Sequence, residues 1–372
     1  MRVLHVVTNL GTYGAERFAG RLAERVAALG DDVAVMTIAP SPPGVACAVP
    51  LLEVGRRGRY DVAFLPRMVS MMRRYRPDVV HTHMHHGKYW GRVAALAAGA
   101  RAIVHTEHNS EFGAPNAFRP LGRLLAARTA AFVAFSQTHR AALAADEAIP
   151  LERIAVIPNG IDLAPPGPGA RARARAELAV RDDETVLMHV GRLAHVKNQE
   201  LAVEALALLA PHVRLVLVGD GVDRAMLGAL ARERGVAERV TFLGFRDDAA
   251  QLVAGADIAL VTSRNEAMPL AVIEAMAAGV PLVSVPWNGA NEMLGGGERG
   301  VVAHDYTPAA LASALRSALD DPAATSARAE RARRFALAEY DVATTARRYA
   351  ELYRAVSDPM RAAKSRITAA RS

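Results

Sequence analysis

The chain has a single cysteine, Cys47, among its 372 residues. That excludes an intrachain disulfide and a cysteine-rich zinc site, and it fits a reducing compartment such as the cytoplasm. Long apolar runs are missing too. The longest uncharged stretch, Val33 to Leu52, is broken by Pro40, Pro42, Pro43, Gly44 and Pro50, so it does not read as a membrane span. No secretory leader is expected, because Met1-Arg2 runs straight into the strand-like Val3 to Val7. Aromatic residues are scarce at 5%. Few of them lie in the most basic stretch, and no nucleic-acid motif accompanies it, so nucleic acid is left out as a partner.

What is present is enough for two domains of ordinary size. Hydrophobic residues make up 51% of the chain, ample for two cores. A net charge of +7 permits an anionic partner, whether phosphate ligand or membrane surface, and chooses neither. The first half reads as strands alternating with helices. Val3 to Val7 is a strand, and Asn9 to Gly14 a loop. A helix runs from about Ala15 to Leu29 with Phe18, Leu22, Val26 and Leu29 on one face, and Val33 to Ile38 is the next strand. Doubly wound sheets bind ligands at such a loop, but this one lacks the full dinucleotide spacing and is as compatible with a plain turn.

Further strands are expected at Ala131 to Phe135 and Ile154 to Ile157. Ala164-Pro165-Pro166-Gly167-Pro168-Gly169 is the clearest linker. Beyond it the pattern restarts, with strands at Val186 to Val190, Val213 to Val218, Val240 to Leu243 and Ile258 to Thr262, and a helix from Gln199 to Leu209. The alternation predicts a parallel α/β sheet in each half.

Four stretches carry candidate chemistry. Arg56, Arg57, Arg59, Arg67, Arg73, Arg74 and Arg76 cluster with Met68, Met71 and Met72. They read either as a solvated helix whose apolar side docks on the sheet, or as a patch meeting anionic lipid. His81, His83, His85, His86, His105 and His108 follow two expected strands that end on one sheet edge. Consecutive or alternating residues at a strand end cannot all converge on one ion. A metal is therefore not expected, and one or two of these histidines are read as orienting a substrate or stabilising phosphate charge. Arg192 and Lys197 follow another strand, where a guanidinium and an ammonium suit a diphosphate; the plain alternative is two surface cations.

The fourth stretch runs from Ser263 to Glu292. Between Ala267 and Asn291 its one charged residue is Glu274, inside the apolar helical run Leu270 to Ala278. Pro269 marks a place in the first turn, Gly279 a stop, and Val280 to Val285 a buried strand. A carboxylate there needs a hydrogen-bond partner, and the helix start just after Glu266 is a ready anion site. Two carboxylates flanking such a site suit a phosphorylated ligand with hydroxyls, a nucleotide sugar. The plain alternative is a buried helix whose Glu pairs with an Arg elsewhere.

Taken in order, these motifs resemble those of the GT-B glycosyltransferases of family 4, also called group 1, over about residues 2 to 355. They are Val190-Gly191-Arg192 with Lys197-Asn198, Leu217-Val218-Gly219-Asp220-Gly221, Phe242-Leu243-Gly244, the Glu266 and Glu274 pair, and Ala275 to Pro281 followed by Gly289 and Glu292. The first half adds Gly14-Ala15-Glu16, His81 with His83, Thr106-Glu107-His108, Ser136 and Pro158 to Asp162.

The resemblance implies two Rossmann-like doubly wound domains facing a cleft: residues 1–165 for the acceptor and 166–340 for the nucleotide sugar. A helix at 341–356 would cross back to the first domain, followed by a basic tail at 357–372. By motif match, Arg192 and Lys197 neutralise the diphosphate and Glu274 accepts from the ribose hydroxyls. Glu266 contacts the transferred sugar, and the backbone of Ala267, Met268, Pro269 and Leu270 meets sugar and phosphate. Phe245 joins the donor side, as does Gly14, whose loop lets the backbone approach the diphosphate. His108 lies close to the donor sugar, with Tyr13 and His83 on the acceptor side. Glu266, His108, Arg192 and Lys197 are the expected catalytic set.

The implied enzyme is a metal-independent, retaining hexosyltransferase without cofactor. It would take a UDP- or GDP-sugar to a glycan or lipid-linked acceptor in surface polysaccharide or glycolipid synthesis. Its expected place is the cytoplasm, touching the membrane face through Arg56, Arg57, Arg59, Arg73 and Arg74. The alternative is a sugar-nucleotide epimerase or a histidine–metal hydrolase of similar architecture. Two departures from the family pattern stand out: Tyr13 precedes Gly14 where a second glycine is usual, and Ala267-Met268 replaces Gly-Phe.

Overall fold

The computed structural model describes residues 1–11, 14–58, 60–108 and 117–358. Tyr13, Arg59 and the tail beyond Asp358 lie outside them. The chain divides into two compact units. The first takes in Met1–Ile161 together with the chain from Asp341, and the second is Asp162–Tyr340. The division falls before the Pro/Gly run at 164–169.

The first unit carries a seven-stranded sheet: β1 (Arg2–Val7), β2 (Asp32–Thr37), β3 (Leu51–Glu53), β4 (Val79–His83), β5 (Ala102–Thr106), β6 (Ala131–Ala134) and β7 (Ile154–Val156). Their order is β3-β2-β1-β4-β5-β6-β7, and every pairing is parallel. Parallel strands are covered on both faces, which is why β4, β5 and β6 are buried along their whole length. The helix Gly14–Ala28 buries Phe18, Leu22 and Val26. Leu29, placed on the same face by the sequence pattern, lies past the helix end and is 41% exposed.

The second sheet has six strands: β8 (Thr185–Val190), β9 (Val213–Val218), β10 (Val240–Gly244), β11 (Ile258–Val261), β12 (Leu282–Ser284) and β13 (Val301–Val302). Their order is β10-β9-β8-β11-β12-β13, again parallel throughout. Both sheets therefore reverse their winding once, between β1 and β4 and between β8 and β11. In doubly wound sheets such a reversal is where ligands bind, because the flanking connections leave in opposite directions.

Asp341 starts the last helix, Val342–Ser357, by accepting hydrogen bonds from the amides of Ala343 and Thr344. That helix packs into the first unit, where Tyr349 and Tyr353 are fully buried.

The basic stretch resolves into a helix, Phe64–Tyr75, with Phe64, Met68 and Met72 in the core beside Val80 and Ile103. These side chains are thus not free to enter a membrane. Arg56 lies over the Phe64 ring at 4.7 Å, Arg67 bonds Asp61, and Arg73 and Arg74 stand in the last turn, about 15 Å from the helix start. The arginines are split between two ends rather than gathered into one patch. Among the described residues no helix is long and apolar enough to cross a membrane.

Candidate functional site

In the second unit the loops after β8, β9 and β10 are laced edge to edge. Gly191 N–H donates to Val218 O, Leu193 N–H to Asp220 O, and Gly219 N–H to Gly244 O, at 2.9, 3.0 and 2.7 Å. Only glycine permits this approach: a Cβ on Gly219 would sit 2.1 Å from Gly191 O, and one on Gly221 2.1 Å from Leu193 O. The lacing holds the turn that carries Arg192, which is exposed, with its carbonyl accepting from Gln199 Nε2 at 2.9 Å.

Lys197 ends a short 3₁₀ turn, and Asn198 after it adopts a left-handed conformation (φ 53°). Across the β8/β11 reversal the Lys197 ammonium pairs with Glu266, which also accepts from Ser263 Oγ at 2.7 Å. Thr262 Oγ1 donates to Lys197 O at 2.8 Å, and Arg264 N–H to Val196 O at 2.9 Å, so the two loops are locked together. Lys197 and Glu266 keep 23% and 14% of their side-chain surface exposed, so both remain reachable. The sequence pattern placed both residues at the site but not against each other.

The helix spans Leu270–Ala278, the bounds the apolar run suggests, with Pro269 just before it rather than in its first turn. Pro269 is its N-cap, extended at ψ 123°, and has no side chain to satisfy the first amides. The helix carries no acidic residue in its first turn, so the positive end of its dipole is not neutralised there. Val272, Ile273, Ala275, Met276 and Ala277 are buried, whereas Leu270, Ala271 and Glu274 form a half-buried stripe. Glu274 therefore stands one turn below Leu270 on the face that solvent reaches. Ala267 and Met268 are half-buried, and Phe245, just past Gly244, is 56% exposed.

His189, on β8 beneath this turn, was not singled out in the sequence. It is buried, its ring nitrogens make no hydrogen bond of good geometry among the described residues, and burial, helped by the Lys197 ammonium, pushes its pKa down to about 3. A histidine in the run Val186-Leu187-Met188-His189-Val190 is the signal that was available, since a buried strand rarely spends a position on a polar ring.

In the first unit, Gly14 opens its helix on the exposed side, after β1. His83, fully buried at the end of β4, lies 3.0 Å from His5 Nδ1 and 3.1 Å from His108 Nε2. His5, within β1, was passed over as a strand residue. His85 is exposed and His86 half-buried, away from this group. His5, His81 and His83 bring ring nitrogens within 4.8 Å of one another, so alternation along β4 does not keep them apart as expected. Both nitrogens of His81 already have hydrogen-bond partners, Tyr353 OH and Thr106 Oγ1.

A second buried cluster lies beside it. Lys88 bridges Glu107 and Glu147 at 2.7 Å each, with Arg92 bonding Thr129 Oγ1 at 3.3 Å. Burial alone would raise the Glu107 carboxyl; the Lys88 ammonium and the neighbouring His105 overcome it and hold the group well below its usual range. Glu107, although part of the recognised motif, is thus committed to an ion pair.

Two parallel doubly wound sheets in succession place the chain in the GT-B class of fold. Residues 12–165 match Glycosyltransferase Family 4 and residues 170–335 match Glycosyl transferases group 1. The chain belongs to this family. It is 33% identical over 260 residues to the D-inositol 3-phosphate glycosyltransferase of Mycolicibacterium gilvum, covering 64% of this chain and 58% of that protein. It is 36% identical over 222 residues to a glycogen synthase of Mycobacterium tuberculosis, covering 58% and 52%. The chain thus spans little more than half the length of these curated relatives. In structure it is similar to Anabaena HepE solved with UDP and glucose (TM-score 0.84, 24% identity, 95% of this chain and 99% of that one). It is also similar to WaaG, a glycosyltransferase involved in lipopolysaccharide biosynthesis (TM-score 0.76, 22% identity, 94% and 99%).

Proposed function

We propose that the protein is a retaining glycosyltransferase. It moves a hexose-type sugar from a UDP- or GDP-sugar to a glycan or lipid-linked acceptor, in surface polysaccharide or glycolipid synthesis on the cytoplasmic side. The second unit takes the donor and the first the acceptor. The observation that carries the reading is the Lys197–Glu266 pair beside an uncapped helix start. A diphosphate entering there meets the ammonium, the Arg192 guanidinium and the helix amides. Glu266 is left to receive sugar hydroxyls, and Glu274 those of the ribose. The binding of UDP and glucose by the structurally similar HepE supports the same class of donor.

The chemistry follows from charge. As the anomeric C–O bond breaks, negative charge grows on the leaving phosphate and positive character on the ring. Lys197, Arg192 and the helix dipole stabilise the former, which is the work a metal would otherwise do. The acceptor oxygen attacks the anomeric carbon from the same face, and its proton passes to a leaving phosphate oxygen. The products are the glycoside and the nucleoside diphosphate. A covalent route needs a free carboxylate. Glu266 is bonded to Lys197 and Ser263, and Glu107 to Lys88, which favours front-face attack.

A thermal-shift panel with UDP, GDP, ADP and CMP, each with and without EDTA, tests the donor class. A ligand at 100 times its dissociation constant stabilises the folded state by about 2.7 kcal/mol. One diphosphate shifting the transition, unaffected by EDTA, is the expected result. No shift with any nucleotide, or a shift abolished by EDTA, counts against it. Inverted stereochemistry of the new linkage, read by NMR, overturns the mechanism. Peripheral membrane contact through Arg56, Arg57, Arg59, Arg73 and Arg74 rests on charge alone, and binding to anionic but not neutral vesicles is its test.

A further inference from the structure

The buried histidines of the first unit belong to one hydrogen-bonded chain, and that chain has a direction. From its inner end, Tyr349 OH lies 3.0 Å from Thr106 Oγ1, which lies 2.7 Å from His81 Nε2. His81 Nδ1 is 2.6 Å from Tyr353 OH, itself 3.5 Å from His5 Nε2. His5 Nδ1 meets His83 Nε2 at 3.0 Å, and His83 Nδ1 meets His108 Nε2 at 3.1 Å. Every member except His108 is fully buried.

A neutral imidazole has one N–H and one bare nitrogen, and each hydroxyl has one hydrogen to give. A hydroxyl accepting from both of its neighbours would leave its own buried hydrogen without a partner, so the bonds run all toward His108 or all away from it. If they run away, Thr106 donates to Tyr349, whose own buried O–H is left without an acceptor. If they run toward His108, Tyr349 donates to Thr106 and Thr106 to His81 Nε2. His81 Nδ1–H then donates to Tyr353, and the one hydrogen of Tyr353 goes to His5. His5 donates in turn to His83, and His83 to His108 Nε2. A buried donor with no acceptor costs about 1–3 kcal/mol, so the second direction prevails.

We propose that this chain makes His108 a fixed hydrogen-bond donor, with His5 and His83 as positioning residues that hold its Nε2 as an acceptor and so place its proton on Nδ1. The proposal rests on the reading of His108 as a neighbour of the transferred sugar. Its partner is then a sugar hydroxyl or phosphate oxygen. His108 does not act as a general base, because its one basic nitrogen is occupied by His83. Burial keeps the rings neutral, as the chain requires: His5 and His108 are pushed down to about 3, and His81 and His83 well below the ordinary value, with neighbouring histidines adding to the effect.

Protein labelled with ¹⁵N-histidine tests this directly, since long-range ¹H–¹⁵N spectra read which ring nitrogen carries the proton. In the wild type the His108 signals should show Nδ1 protonated and Nε2 bare. His83→Phe removes the donor to Nε2, and Tyr353→Phe removes the one oxygen linking His81 to His5. In each, the His108 proton should spread over both nitrogens. Tyr353→Phe keeps the test decisive if His83→Phe does not fold. A proton on Nε2 in the wild type, an unchanged His108 signature in Tyr353→Phe, or stoichiometric metal in the purified full chain by elemental analysis overturns the proposal. No donor or acceptor is needed, so the result stands apart from whether sugar is transferred.

Discussion

Lys197 and Glu266 form an ion pair across the point where the second sheet reverses its winding, one following β8 and the other β11. With Ser263 as a second donor to the carboxylate, the pair sets charge of both signs at one helix start before any ligand arrives. Preorganised charge is effective because no reorganisation is required at the moment of reaction.

Lys197→Ala is therefore expected to lower transfer by about 10²–10³-fold, the usual effect of removing one transition-state charge partner. Glu266→Gln should also cut transfer while leaving affinity for the nucleoside diphosphate alone unchanged or tighter, because Lys197 is freed for phosphate. Initial-rate kinetics with calorimetric titration of the diphosphate separate the two. Equal loss of diphosphate affinity in both variants would contradict this division of labour.

Glu274 sits on the half-buried stripe of its helix, within reach of a ligand at the helix start. Glu274→Ala should weaken nucleotide binding by about tenfold, the loss of one or two charge-assisted hydrogen bonds. A nucleotide lacking the ribose hydroxyls should bind the variant and the wild type alike. A variant that still distinguishes the two nucleotides would remove Glu274 from the ribose site.

Stability should fall in mild acid. His5, His108 and His189 have folded pKa values near 3 and His105 near 4, all lowered chiefly by burial, against about 6.5 when unfolded. Below about pH 6.5 the unfolded chain binds protons that the folded chain refuses. Each such histidine then takes away up to about 1.4 kcal/mol per pH unit, until its folded pKa is reached. The thermal midpoint should be level above pH 7 and drop steeply between pH 6 and 4. A flat profile over that window would mean these rings are protonated in the fold.

Lys88→Met should destabilise by about 3–5 kcal/mol, because it leaves Glu107 and Glu147 buried without their shared ammonium. The loss should ease at low pH, where the carboxyls become neutral. Urea unfolding at two pH values checks both the size and the trend; a loss independent of pH would point to packing instead.

The alternation of apolar runs with loops was legible without coordinates because parallel strands, covered on both faces, must be apolar almost throughout. Val3 to Val7 and Val213 to Val218 show it plainly. The pattern was less informative at ends. Leu29 kept the helical period but fell beyond the last turn, and the arginines near Met68 looked like one patch because sequence distance hides the length of the helix between them. His5 and His189 were passed over because each stands alone among apolar neighbours in the chain.

Sequence by itself determined the two α/β units, the family, and the residue types at the candidate site, since these depend on local periodicity and on motifs of fixed spacing. Tertiary structure alone decided which of those residues meet. The pairing of Lys197 with Glu266, the commitment of Glu107 to Lys88 and the joining of His5 to His108 all depend on which strands lie side by side. That order is set by how the whole apolar surface is buried, and no short stretch of chain records it.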